Sequence, residues 1–175
     1  VTAMDANIGR LLDRLEAENL AEDTLVIYTS DNGFNCGQHG IWGKGNGTFP
    51  LNMYDSSVQV PFLARHPGHI PEGRVCERMV SAYDFLPTLM EYLGLDNPLA
   101  GDLPGRSFAP WLRGEQAPEE RPVVVFDEYG PVRMIRTQTR KYVRRLPYGP
   151  DEFYCLDTDP GERENRIGDP ACAEE

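Results

Sequence analysis

The chain has 175 residues, of which 40% are hydrophobic and 26% charged, and this composition is typical of a globular protein with its own core. The formal net charge of −11 argues against non-specific nucleic-acid binding, which needs a cationic face, so we expect no nucleic-acid partner. No apolar run reaches the roughly 18 residues that a transmembrane helix requires, so we expect no membrane span.

The first part of the chain predicts a helix followed by a strand. Apolar residues from Met4 to Leu15 recur at helical spacing and indicate a helix over residues 2–18. The β-branched, apolar run at residues 24–29 is typical of a strand buried on both faces of a parallel sheet. A helix followed by such a strand indicates an α/β architecture.

A long loop rich in glycine and asparagine follows this strand, over residues 32–54. Loops of this length inside a compact domain are commonly functional, and ligands bind at the carboxyl ends of strands in open α/β sheets. A second strand is predicted over residues 58–65. Asp84 is a plausible N-cap for a helix over residues 84–93.

The last third of the chain predicts a small antiparallel sheet. Strand-like runs lie at residues 123–126, 132–136 and 141–144, with a possible fourth at 152–156, and their short links favour hairpins. We therefore divide the chain into an α/β part, residues 1–115, and a small α+β subdomain, residues 116–175.

The four cysteines, Cys36, Cys76, Cys155 and Cys172, form no Cys-x-x-Cys pair, so a structural zinc site is not expected. Their low density does not indicate a disulfide scaffold, although one bridge stays open. We prefer a cytoplasmic location with four free thiols over a periplasmic or secreted one.

Asp31 and Asn32 follow the first strand without a spacer. A carboxylate and a carboxamide are hard oxygen ligands of the kind that Ca²⁺ or Mg²⁺ prefers. The alternative is a simple turn, because Asp-Asn-Gly is common wherever a chain reverses.

His39 and Lys44 lie among closely spaced glycines, which let the backbone approach a ligand. Lys44 could bind a sulfate or phosphate oxygen, and His39 could donate to an oxyanion or protonate a leaving group. The alternatives are a solvated lysine and a loop histidine with a local hydrogen bond. With Asp31 and Asn32, these residues indicate metal-assisted chemistry on a tetrahedral oxyanion ester.

The chain resembles the C-terminal part of type I sulfatases (arylsulfatase-like), in the alkaline phosphatase superfamily. The resemblance rests on an ordered series of segments: DANIGR, TLVIYTSDNG, QHG with GKG, VPFL, DFLPTL, LPGRS, and FYCL with DPGE. It implies an alkaline-phosphatase-like sandwich of parallel strands and helices, followed by the small antiparallel subdomain. It also implies hydrolysis of a sulfate ester of a small molecule or glycan.

The resemblance also implies roles for the site residues. Asp31 and Asn32 would be two ligands of Ca²⁺, or of Mg²⁺ or Mn²⁺. Lys44 would contact the sulfate group, and His39 would lie near the sulfate or the leaving oxygen. Asp84 would be structural.

One family feature is missing from this sequence. Members carry an upstream Cys-x-Pro-Ser-Arg or Ser-x-Pro-x-Arg motif whose first residue becomes the formylglycine nucleophile, and no cysteine here has that context. We therefore expect a fragment that is inactive alone and could associate into homo-oligomers. The alternatives are a phosphonate or phosphate ester hydrolase of the same superfamily, and a catalytically inactive binding or structural module.

Overall fold

The computed structural model describes residues 1–116, 119–127, 129–147 and 149–172. The helices are α1 Thr2–Ala17, α2 Asp55–Val58, α3 Phe85–Tyr92 and α4 Ala109–Leu112. The strands are β1 Val26–Thr29, β2 Asn35–Cys36, β3 Trp42–Gly43, β4 Phe62–Arg65, β5 Val123–Phe126, β6 Val132–Arg136, β7 Arg140–Arg145 and β8 Glu152–Cys155. Short 3-10 helices span Ala21–Asp23, Gln38–Gly40, Gly45–Gly47, Ala82–Asp84 and Pro170–Cys172.

The chain divides into two compact units. The first comprises Val1–Thr29, Pro61–Glu77 and Tyr83–Pro118, and the second comprises Ser30–Val60, Arg78–Ala82 and Glu119–Glu175. All four candidate site residues belong to the second unit. These units combine separate stretches of the chain, and the domain limits 1–115 and 116–175 stay a prediction.

The first unit contains α1, α3, α4 and a two-stranded sheet. Within this sheet β1 pairs with β4 in the antiparallel sense, with Val26 opposite Arg65 and Thr29 opposite Phe62. The predicted parallel neighbour of β1 is therefore not found among the described residues. An apolar run indicates burial, but it carries no information on the direction of the neighbouring strand.

The burial predicted for β1 is also incomplete. Val26 and Ile27 are half-buried, whereas Tyr28 and Thr29 are exposed. A two-stranded sheet cannot cover both of its faces, and this accounts for the exposed end of the strand.

The second unit is built on a four-stranded antiparallel sheet in the order β5-β6-β7-β8, and this confirms the predicted small antiparallel sheet. Side chains alternate along β6, where Val132 and Met134 are buried while Arg133 and Ile135 are exposed. Val132 and Met134 form a core cluster with Val143 and Met53. Each such side chain contributes about 1.5–3 kcal/mol when it is fully buried.

Within the described residues, no helix has the length and apolar character needed to cross a membrane. Cys36, Cys76 and Cys155 are free thiols, the first two at the surface and the third buried.

Candidate active site

The segment after β1 makes a tight turn that presents two side-chain oxygens. The Ser30 hydroxyl donates to the Asn32 carbonyl at 2.9 Å, and the Asn32 backbone N–H donates to Asp31 Oδ1 at 2.9 Å. Gly33 N–H then donates to the Ser57 carbonyl at 2.9 Å. A Cβ on Gly33 would collide with the Ser56 carbonyl oxygen, so only glycine allows this approach.

Lys44 lies next to this turn. Its ammonium group donates to Asn32 Oδ1 at 3.1 Å, although the two residues are 12 positions apart. Lys44 and Asp31 are exposed, and Asn32 is half-buried. The structure therefore brings Lys44 and Asn32 together next to Asp31, as a partly exposed group of one ammonium and two oxygen-bearing side chains.

A buried network of polar side chains holds this region. Asn35 is fully buried and its Nδ2 donates to Ser57 Oγ at 2.6 Å and to the Gly43 carbonyl at 3.1 Å. Ser57 Oγ donates to Asn52 Oδ1 at 2.7 Å. Because Asn35 also pairs with Gly43 across β2 and β3, the network fixes the backbone directly before Lys44.

The side chain of His39 lies against a different partner. Its ring stacks on that of Tyr54, with the centroids 3.6 Å apart and the planes 4° from parallel. Of the residues that the structure describes, none hydrogen-bonds to its ring nitrogens, so His39 is not joined to the Asn32–Lys44 pair. Burial lowers the pKa of His39 below its ordinary value; Asp159 and Glu152 oppose this effect, and Lys141 and Arg163 add to it.

An ion cluster is built around Asp55, the residue that follows Tyr54 in the sequence. Lys141 has no exposed surface, and its ammonium group pairs with Asp55 at 2.5 Å and with Glu162. Arg136 pairs with the other oxygen of Asp55 at 2.9 Å. Burial raises the pKa of Glu162, whereas at Asp55 the hydrogen bond from Arg136 and the charge of Lys141 outweigh burial and lower the pKa.

Tyr54 also borders a cavity of about 260 Å³. Ile41 lies on its wall, as do Arg145 and Glu152, whose side chains pair at 2.9 Å. The cavity therefore combines an apolar wall with a charge pair that is internally neutral.

The amino-acid sequence did not indicate a role at the site for Asn35, Asn52, Ser57 or Lys141. The polar residues of a glycine-rich loop resemble solvated ones, and nothing in the local sequence distinguishes a buried lysine in a strand from an exposed one. The one available signal, the sequence Tyr-Asp-Ser-Ser at residues 54–57 where a helical turn begins, is weak.

The side chains of Asp31 and Asn32 are the candidate ligands for a cation. Asp31 and Asn32 offer the oxygen donors that Ca²⁺, Mg²⁺ and Mn²⁺ accept, whereas such ions take about six or more ligands. The described part of the chain contains no group of three or more His, Cys, Asp or Glu side chains that could hold a metal ion. The two residues therefore fit part of a coordination shell.

The family model described as Sulfatase matches residues 1–95, more than half of the chain. The chain belongs to the sulfatase family.

Its relatives include enzymes named for sulfated carbohydrates. An N-acetylglucosamine-6-O-sulfatase of Bacteroides thetaiotaomicron is 36% identical over 115 residues, which is 66% of this chain and 19% of that protein. A Delta 4,5-hexuronate-2-O-sulfatase of the same organism is 30% identical over 172 residues, 93% of this chain and 34% of that protein. The chain thus spans about a third or less of these relatives.

Solved structures share its fold. A 2-O GAG sulfatase has a TM-score of 0.82 and 28% identity over 98% of this chain and 37% of its own. The phosphonate monoester hydrolase of Agrobacterium radiobacter has a TM-score of 0.81 and 31% identity over 97% of this chain and 36% of its own. These matches confirm the predicted α/β fold, equivalent to the C-terminal part of sulfatase structures.

Proposed function

We propose that this chain is part of a sulfatase that hydrolyses a sulfate ester of a small molecule or glycan. The observation that carries the proposal is the hydrogen bond between Lys44 and Asn32 at 3.1 Å, beside Asp31. It joins a cationic side chain to the amide of a motif suited to a hard cation. The sulfated carbohydrates in the names of its relatives support a glycan substrate.

Each residue has a proposed role in this reaction. Asp31 and Asn32 would hold part of the shell of a Ca²⁺, Mg²⁺ or Mn²⁺ ion, which when bound supplies Lewis-acid polarisation of the sulfate oxygens. Lys44 would bind a sulfate oxygen, because its hydrogen bond to Asn32 holds the ammonium group next to the proposed cation ligands. His39 would donate a hydrogen bond to the ester or leaving oxygen. The formylglycine nucleophile would come from outside these 175 residues.

The test uses the protein expressed from its complete reading frame, assayed with an aryl sulfate and with a sulfated monosaccharide. We expect Lys44→Ala to lower kcat/KM by about 10²–10³-fold, as when one donor to a developing charge is removed. Arg144→Ala removes an exposed cation from β7 and is the matched control, with little expected change. Chelation should abolish activity and added Ca²⁺ should restore it. Lys44→Ala with full activity would contradict the proposal.

A second candidate function is phosphonate ester hydrolysis, favoured by the likeness to the Agrobacterium enzyme at 31% identity. The same protein would be assayed with an aryl phosphonate monoester. A higher kcat/KM on the phosphonate than on every sulfate ester would assign it to that activity.

The third possibility is a binding or structural module without activity. We expect the 175-residue chain alone to show no turnover of an aryl sulfate in Ca²⁺, and turnover would refute the proposal that the nucleophile lies outside it. No turnover by the complete protein on any of these esters would favour the module.

We also propose a cytoplasmic location. Cys36 and Cys76 are exposed free thiols, and such thiols persist most readily in a reducing compartment. Thiol alkylation in intact cells, compared with lysates, would test this.

A further inference from the structure

The backbone of His39 adopts an unusual conformation. Its φ of 54° is in the left-handed region, and the flanking Gly37 and Gly40 also have positive φ values of 103° and 70°. A non-glycine residue in this region carries a strain of about 1–3 kcal/mol. The turn therefore contains a histidine at a position where glycine would be less strained.

The ring of His39 is held by one face. The parallel stack on Tyr54, at 3.6 Å between centroids, fixes the plane of the imidazole. Both ring nitrogens lie at the ring edge, and no described residue hydrogen-bonds to them. The ring is thus held by a contact that leaves its donors free for a ligand.

Tyr54 is itself firmly anchored. Its carbonyl accepts hydrogen bonds from Ser57 N–H at 2.8 Å and Val58 N–H at 3.0 Å in the first turn of α2. The next residue, Asp55, accepts from Lys141, and its N–H donates to Glu162 Oε2 at 2.6 Å. Tyr54, on which His39 stacks, is therefore connected through Asp55 to Lys141 on β7 and to Glu162 in the segment after β8.

The tyrosine ring also has support from β8. Tyr154 is 3% exposed, and its ring centroid lies 6.3 Å from that of Tyr54 in a tilted arrangement. Burial raises the pKa of both phenols, so both stay neutral and the stack contains no phenolate charge.

We propose that Tyr54 is a positioning residue, which holds the His39 imidazole so that its edge faces the ester oxygen. This inference rests on the proposed function of His39. Tyr54 does not touch the reacting atoms; it acts by restricting the orientation of the ring and by shielding one of its faces from water.

The experiment compares Tyr54→Leu with Tyr54→Phe, which keeps the ring, in the protein from the complete reading frame. Val58→Ala is the matched control, because it removes packing from the same short helix without touching the stack. Three quantities are measured. The His39 titration is followed by NMR of ¹³C-labelled histidine, assigned with His39→Gln, and kcat and KM are determined on an aryl sulfate.

We expect Tyr54→Leu to lower kcat about 10-fold or more, since misplacement of a catalytic group has effects of that size. Because the ring that buries it is lost, His39 should titrate at a higher pH than in the wild type. Tyr54→Phe should keep both kcat and the His39 titration close to those of the wild type. Val58→Ala should lower the melting temperature and leave the His39 titration in place.

The inference is overturned if Tyr54→Leu and Val58→Ala have the same His39 titration and the same kcat. It is also overturned if Tyr54→Phe behaves like Tyr54→Leu. A wild-type protein without sulfatase activity would refute the proposed function instead, while the NMR comparison would still show whether Tyr54 holds the ring.

Discussion

Lys141 carries a charge inside the second unit with no exposed surface. Its ammonium group contacts the Asp55 and Glu162 carboxylates and donates to the Met53 carbonyl at 3.0 Å. Lys141→Met would leave Glu162 buried without this cation and Asp55 with Arg136 alone. We expect the free energy of unfolding to fall by about 3–5 kcal/mol, the usual cost of breaking a buried ion pair. Urea unfolding followed by circular dichroism measures it.

The same substitution at an exposed lysine is the control. Lys44 is exposed and makes a hydrogen bond to Asn32, so Lys44→Met should change the free energy of unfolding by about 0.5 kcal/mol or less. Equal losses in the two variants would contradict a stabilising ion cluster around Lys141.

Residue chemistry predicted Asp31, Asn32, His39 and Lys44 as candidates, because carboxylate, amide, imidazole and ammonium groups among glycines suit an oxyanion site. Their roles in a reaction stay predictions. The supporting groups could not be predicted in the same way. Lys141 meets Asp55 across 86 positions of sequence, and no local pattern encodes a contact of that range.

At the scale of single elements, substitutions on β6 measure how much the alternation of buried and exposed side chains contributes to stability. Met134 is 2% exposed and packs in the core cluster, whereas the adjacent Ile135 is 43% exposed. We expect Met134→Ala to lower the free energy of unfolding by about 2–5 kcal/mol. Ile135→Ala removes a similar amount of side chain from the open face, and its expected cost is about 0.5 kcal/mol. Chemical denaturation of the two variants measures both losses. A larger loss for Ile135→Ala than for Met134→Ala would contradict the assignment of the buried face of β6.

The β7–β8 hairpin depends on the carboxylate of Asp151. Its oxygens accept the Tyr142 hydroxyl at 2.6 Å and the Arg145 N–H at 2.8 Å, and the bond from Tyr142 is the main cause of its lowered pKa. A depressed carboxyl pKa stabilises the fold above the ordinary value of 3.8, and this stabilisation is lost as the pH falls through the lower folded value.

Tyr142→Phe should therefore cost about 1 kcal/mol near pH 7, and its difference from wild type should shrink below about pH 4. Thermal unfolding from pH 3 to pH 7 measures this. Tyr28→Phe is the matched control, since its hydroxyl contacts only the Met4 sulfur at 3.9 Å among the described residues, and it should show no such pH dependence. A constant difference at every pH would show that Asp151 is not the linked group.

The spacing of apolar residues predicted those helices and strands whose formation depends mainly on the local sequence. The helix expected at residues 2–18 is α1, the one expected at 84–93 is α3, and the sheet at the end of the chain has the expected antiparallel order. The environment of β1 was predicted wrongly, because its apolar run does not specify β4 as an antiparallel partner. Strand direction depends on the path of the intervening chain, which here is residues 30–61.

At the scale of the whole molecule, the chain exposes much apolar surface. The 2-O GAG sulfatase that it resembles is covered by this chain over only 37% of its length. Large side chains are exposed on the first unit: Met4, Leu11, Tyr28, Leu63, Leu86 and Leu93. Exposed apolar surface promotes association.

We therefore expect the 175-residue chain to self-associate in solution and to bind a hydrophobic dye. Leu11 is 65% exposed on α1 and Leu63 is 57% exposed on β4, so the pair Leu11→Lys and Leu63→Lys should weaken association about 10-fold or more through lost apolar contact. Ala6→Lys adds a charge to α1 without removing a large apolar group and should change little. Sedimentation velocity over a range of concentrations measures the association, and a wild-type chain that stays monomeric throughout would contradict the expectation.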